Sequence, residues 1–170
     1  MSMGLLIIRL AVGLTLAVHG SQKLFGWFGG HGIAGTGQFM EQLGFRPGRL
    51  QATLAGLAEF GGGLFLAVGL FTPAAAAVAV SVMLVAGLSV HWQNGFFVTK
   101  GGFEYTFILA SAAAGLAFTG PGALSADEAL GNSWSTASAV VALAVGIAAA
   151  AFPLLSRRPI VAENASRQSA

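Results

Sequence analysis

Four ionisable side chains interrupt otherwise apolar stretches, and they are the groups able to do chemistry. Arg9, His19 and Lys23 fall in one hydrophobic run, ten and four residues apart. At about 100° per residue that spacing keeps them within an arc of about 80°, on one face of a helix. Glu59 stands alone in LAGLAEFGGGLF, with Ala55, Gly56, Gly62 and Gly63 three and four residues to either side. Small residues there let a neighbouring helix approach closely, which brings a partner to the carboxylate. An ionised side chain in hydrocarbon costs at least about 2.5–3.5 kcal/mol by insertion measurements, so such groups point by default to a ligand or a proton path. The competing reading is that they pin helices together, and intramembrane polar pairs often contribute only modestly. For Lys23 taken alone that reading is preferred, because a lysine near a helix end snorkels to the interface. His31 reads as a solvated loop residue, and His91, next to Trp92, as an interfacial anchor.

The elements that must position these groups are membrane helices. Only 8% of the residues are Asp, Glu, Lys or Arg, against about 25% in soluble domains, and the mean hydropathy is +0.78. A soluble surface cannot be built from that composition, so the fold class is all-α, an integral membrane helical bundle. The hydropathy pattern predicts one transmembrane domain over residues 1–155, with helices at 4–25, 50–71, 73–92, 103–119 and 136–152, followed by a polar, disordered tail over 156–170. The first run lacks a basic flank and carries Arg9, so it reads as a retained helix and not as a signal peptide. Thr72 alone separates the second and third helices and Pro73 opens the third, and proline suits a first helical turn because its missing N–H has no partner there. The two form an antiparallel hairpin.

Charge sets the expected orientation. Arg46 and Arg49 lie in the first loop, Lys100 in the third, and Arg157, Arg158 and Arg167 in the tail. The second loop is uncharged and the fourth carries only Asp127 and Glu128. With five spans every basic loop falls on one side, which the positive-inside rule assigns to the cytoplasm. The N-terminus is then outside and the C-terminus cytoplasmic. The first loop, Gly26 to Gly48, contains FGGHGIAGTG but lacks the preceding strand and Lys-Ser/Thr pair of a phosphate cradle. It is expected to be mobile, with Thr36 capping a short helix that buries Phe39, Met40 and Leu43 and ends at Gly44.

Counting from the cytoplasmic ends at about 1.5 Å per residue puts Lys23 at the rim, His19 about 9 Å in, Glu59 about 13 Å in and Arg9 about 24 Å in. His91 and Glu104 lie near the same rim. By depth, His19 is the expected partner of Glu59. The chain has no cysteine, which rules out disulfides, iron–sulfur clusters and thiolate-held zinc as work of this chain alone. No His-x3-His or Glu-x2-His spacing supports a metal site, and nothing positive favours a haem between His19 and His91. There is no basic patch interleaved with aromatics, so nucleic acid is not an expected partner.

The stretches RLAVG, HGSQKLFGWFGGHGIAGTGQF, LGFRPG, LAEFGGG, HWQNGFF, GGFEYTF and GPGALSADEAL, in that order over about residues 4–130, resemble the DoxX family of small bacterial membrane proteins. That family typically has four spanning helices, so a fifth after Leu130 departs from its pattern. The resemblance implies a multi-pass protein of the bacterial plasma membrane that serves as a subunit of an oxidoreductase system, with redox partner proteins and quinone as acceptor. It also singles out Arg9, His19, Gly20, Lys23, Glu59, Asn94, Gly95 and Glu104 as motif positions. The residues themselves are compatible with a quinone headgroup site. His19, Glu59 and His91 can serve the carbonyl oxygens and the protons, while Arg9 or Lys23 favours negative charge on the ring. Two other classes compete: a small proton-coupled or solute transporter, in which Arg9, Glu59 and His19 line a route, and a structural adaptor whose glycine faces bind other helices. Five unequal helices without a clear repeat speak mildly against transport. A homo-oligomer is compatible with any of the three.

Overall fold

The computed structural model describes residues 2–158. The expected tail lies outside the described residues from position 159 onward. Seven α-helices follow one another, with no strand among the described residues: α1 (Ser2–Phe25), α2 (Gly32–Gln42), α3 (Gly48–Val68), α4 (Thr72–Ala86), α5 (Glu104–Thr119), α6 (Ala126–Ala129) and α7 (Thr136–Ser156). A π-helical turn, Gly87–His91, and a 3-10 turn, Trp92–Asn94, prolong α4. Among the described residues, four segments are long and apolar enough to cross a membrane: α1, α3, Thr72–Asn94 and α7. With 16 residues α5 is shorter, about 24 Å against about 30 Å of hydrocarbon.

The hairpin between α3 and α4 forms as the sequence predicts, with Pro73 in the first turn of α4. Gly69 ends α3 in the left-handed conformation, at φ 69°, which costs glycine nothing because it has no Cβ. Helix α7 crosses the whole bundle. Its first turn begins beside the hairpin, where Trp134 stacks edge-on against Phe71. Beyond its last turn, the Arg158 N–H donates to Gly44 O at 2.9 Å, in the first loop. The bundle therefore has a first-loop end and a hairpin end.

Packing turns the polar groups inward. Arg9 is fully buried and Glu59 is 4% exposed, whereas Ile7 is 60%, Leu57 55% and Phe107 56% exposed. That inversion suits a chain whose surroundings are hydrocarbon. Helices α1 and α3 touch backbone to backbone: a Cβ on Gly13 would stand 2.5 Å from Gly63 O, and one on Gly63 2.5 Å from Gly13 O. Small residues replace the large apolar knobs of a soluble core at such a crossing.

The first loop differs from expectation. It folds into α2, which starts at Gly32 with His31 before it, five residues earlier than a cap at Thr36 would give. No side chain caps that start. The helix packs on α3 through the buried Gly37, whose added Cβ would meet Arg49 N at 3.0 Å. Gly44 ends the segment at φ 90° as expected, but Phe39 remains exposed.

Candidate functional site

At the first-loop end, the Lys23 ammonium donates to Glu59 Oε2 in an ion pair whose side chains are 24% and 5% exposed. Depth counting predicts His19 for this role, and the structure corrects it. Side chains on a helix lean toward its N-terminus. The lean carries Lys23 deeper along α1, and carries Glu59 toward the rim because α3 runs the other way. Gly56 makes room for the pair, since a Cβ there would meet Leu24 Cδ2 at 2.7 Å and Lys23 Cβ at 3.3 Å.

His19 instead meets Tyr105, the chain's one tyrosine, with Nε2 and the phenol oxygen 3.2 Å apart and the rings edge-on. Tyr105 lies within electrostatic range of Glu59. One cluster thus joins α1, α3 and α5. His19 and Lys23 also line an open cleft of about 290 Å³ together with Gln22, His31, Thr36 and Phe39. Gln22 spends its amide N–H on Phe28 O at 3.1 Å, and Phe28 adopts φ 51°, a costly conformation for a side-chain-bearing residue. That bond holds the strained turn at the cleft's edge.

Arg9 belongs to a separate cluster at the hairpin end. Its Nη2 donates to Leu124 O, and it lies within electrostatic range of Asp127. Its Nε and Nη1 meet no acceptor among the described residues. The guanidinium rests against Gly69, where a Cβ would collide with Nη1. Asp127, also fully buried, accepts five hydrogen bonds: from the N–H groups of Phe71 and Thr72 at 2.9 Å each, Thr72 Oγ1 at 2.8 Å, Asn132 Nδ2 at 3.0 Å and Trp134 Nε1 at 2.9 Å. It caps α4 from another segment and holds Phe71 at φ 47°. Burial pushes its carboxyl up, but the bonds from Thr72, Asn132 and Trp134 outweigh burial and leave it below the ordinary carboxylate range.

The other sequence candidates stay local. His91 Nδ1 donates to Gly101 O at 2.8 Å, Asn94 Nδ2 donates to the same oxygen at 3.2 Å, and Glu104 Oε2 accepts the Val98 N–H at 2.9 Å. The three fold the connection between α4 and α5. Sequence reasoning missed Tyr105 and Asp127. The signals available were the lone tyrosine at a helix start and the lone aspartate after a Ser cap, in SADEAL.

The DoxX family model matches residues 4–92. The chain is similar to the Inner membrane protein YqjF of Escherichia coli (strain K12), at 31% identity over 131 residues, covering 77% of this chain and 95% of that protein. No solved structure matches it.

Proposed function

This chain belongs to the DoxX family, and from that premise we propose that it is a membrane subunit of an oxidoreductase system that receives a quinone headgroup in the cleft between α1 and α2. The observation that carries this reading is the convergence of His19, Lys23, Glu59 and Tyr105 beside an open cleft at the end of a membrane bundle. Reducing a quinone to a quinol takes two electrons and two protons. The chain has no cysteine to hold an iron–sulfur cluster, and in this reading a partner protein delivers the electrons. This chain supplies hydrogen bonds to the headgroup and a path by which both protons reach its two oxygens. Histidine suits that exchange because its unperturbed pKa lies near neutrality.

The relative at 31% identity is described as an inner membrane protein, and the same membrane is proposed here. The first loop and C-terminus are cytoplasmic in this reading, because Arg46, Arg49, Lys100, Arg157 and Arg158 all belong to the first-loop end. The chain has no cysteine, so single introduced ones report topology directly. A cysteine at Gln38 is expected to resist a membrane-impermeant thiol reagent in intact cells, and one at Ser133, exposed at the hairpin end, to react. The opposite pattern inverts the orientation.

Purification in mild detergent tests the ligand. Extracted wild-type protein is expected to carry quinone, with retention at least about tenfold lower in Glu59→Gln or His19→Ala. If no quinone is retained while liposomes show proton or solute flux that depends on Glu59, transport replaces this reading.

A further inference from the structure

We infer that Tyr105 is a positioning residue for the cleft: its phenol O–H donates to His19 Nε2, fixes the imidazole as the Nδ1–H tautomer, and so makes His19 a donor that selects a ligand with an uncharged acceptor oxygen. The inference deepens the proposed function and rests on it for the identity of the ligand, though not for the tautomer.

A neutral imidazole has one donor and one acceptor nitrogen, and the partner of one decides the role of the other. His19 makes one hydrogen bond among the described residues, through Nε2 to Tyr105, and Tyr105 makes one, to His19. Two assignments exist. If His19 donates, the phenolic hydrogen has no acceptor among the described residues, on a side chain that is 39% exposed. If Tyr105 donates, the phenol is satisfied, and the remaining donor, the His19 Nδ1–H, belongs to a side chain that lines the cleft. A phenol O–H is a stronger donor than a neutral imidazole N–H, and an imidazole nitrogen is a stronger acceptor than a phenol oxygen, so the O–H to N pairing is the tighter one. The second assignment is the stable one.

Charge narrows the ligand class. Lys23 is the cation nearest this donor on its own helix, and Glu59 already balances it. The cleft therefore offers hydrogen-bond donors, from the Lys23 ammonium, the Thr36 hydroxyl and the neutral rings of His19 and His31, without a surplus positive charge. A carbonyl oxygen fits that set. An oxyanion would find there only neutral donors and an ammonium that Glu59 already compensates.

Nitrogen NMR of the histidine rings in the purified full-length chain tests the tautomer without reference to any ligand, with His19 assigned by loss of its signals in His19→Gln. The wild type is expected to show a protonated Nδ1 and an unprotonated Nε2. Tyr105→Phe keeps the ring and its packing, so its thermal midpoint is expected to stay near the wild-type value, while His19 moves to a mixture of tautomers. Quinone retention is expected to fall about threefold to tenfold in that variant. Wild-type His19 with the proton on Nε2, or a tautomer ratio that Tyr105→Phe leaves unchanged, overturns the positioning role. If the tautomer shifts as stated and neither protein retains quinone, the positioning role stands and the quinone reading falls.

Discussion

Replacing Asp127 with alanine is expected to destabilise the protein by about 3–5 kcal/mol, the range found when one partner of a buried charged network is removed. Five donors lose their acceptor at once: two N–H groups at the start of α4, the Thr72 hydroxyl, the Asn132 amide and the Trp134 indole. The Arg9 guanidinium loses its nearby counter-charge in the same step. Asp127→Asn is expected to be nearly as damaging, because an amide can accept at one atom only and turns a second set of donors toward donors. The thermal midpoint in detergent, followed by tryptophan fluorescence, measures both. A midpoint within one or two degrees of the wild type would show that the hairpin end does not depend on this carboxylate.

The same residue gives the stability a pH dependence of known sign. Its folded carboxyl titrates below the ordinary range, so its contribution is complete above about pH 4 and is lost as the pH falls through the folded value. Acid sensitivity in that window is expected in the wild type and is expected to shrink in Asp127→Ala.

The second large effect concerns the pair at the other end. Lys23→Met leaves Glu59 buried with no cation, and its cost is expected to reach about 3–5 kcal/mol. Lys23→Met combined with Glu59→Gln removes both charges and is expected to recover most of that loss, because two buried charges replaced together forfeit little net free energy. The double variant then separates stability from function: it folds, and it retains less quinone than the wild type. A double variant as unstable as Lys23→Met alone contradicts the pairing.

The helices and the hairpin were readable because they rest on local rules. Apolar length marks α1, α3, α4 and α7, and Pro73 marks a helix start. The glycines around Glu59 announced a close neighbour, and α1 is that neighbour. The identity of the partner was less accessible. A depth count treats a side chain as a point on its helix, whereas Lys23 and Glu59 lean toward each other along antiparallel axes. Arg9 shares a helix face with His19 and Lys23, but the depth count already sets it far from both. Ten residues separate it from His19, about 15 Å along the axis, and its neighbourhood comes from residues 124–127. Nothing local in GPGALSADEAL says that this connection folds back onto the hairpin. Tyr105 was hidden for a similar reason: its contact with His19 joins helices 86 positions apart.

The most direct test of the central claim, that the polar cluster at the first-loop end holds a quinone headgroup, is photolabelling with an azido-quinone followed by peptide mapping. Label is expected on the segment from His19 to Phe39, and is expected to be displaced by excess unmodified quinone. Label confined to the apolar groove of Ala77, Val78, Ala142 and Gly146, or label that excess quinone does not displace, contradicts it.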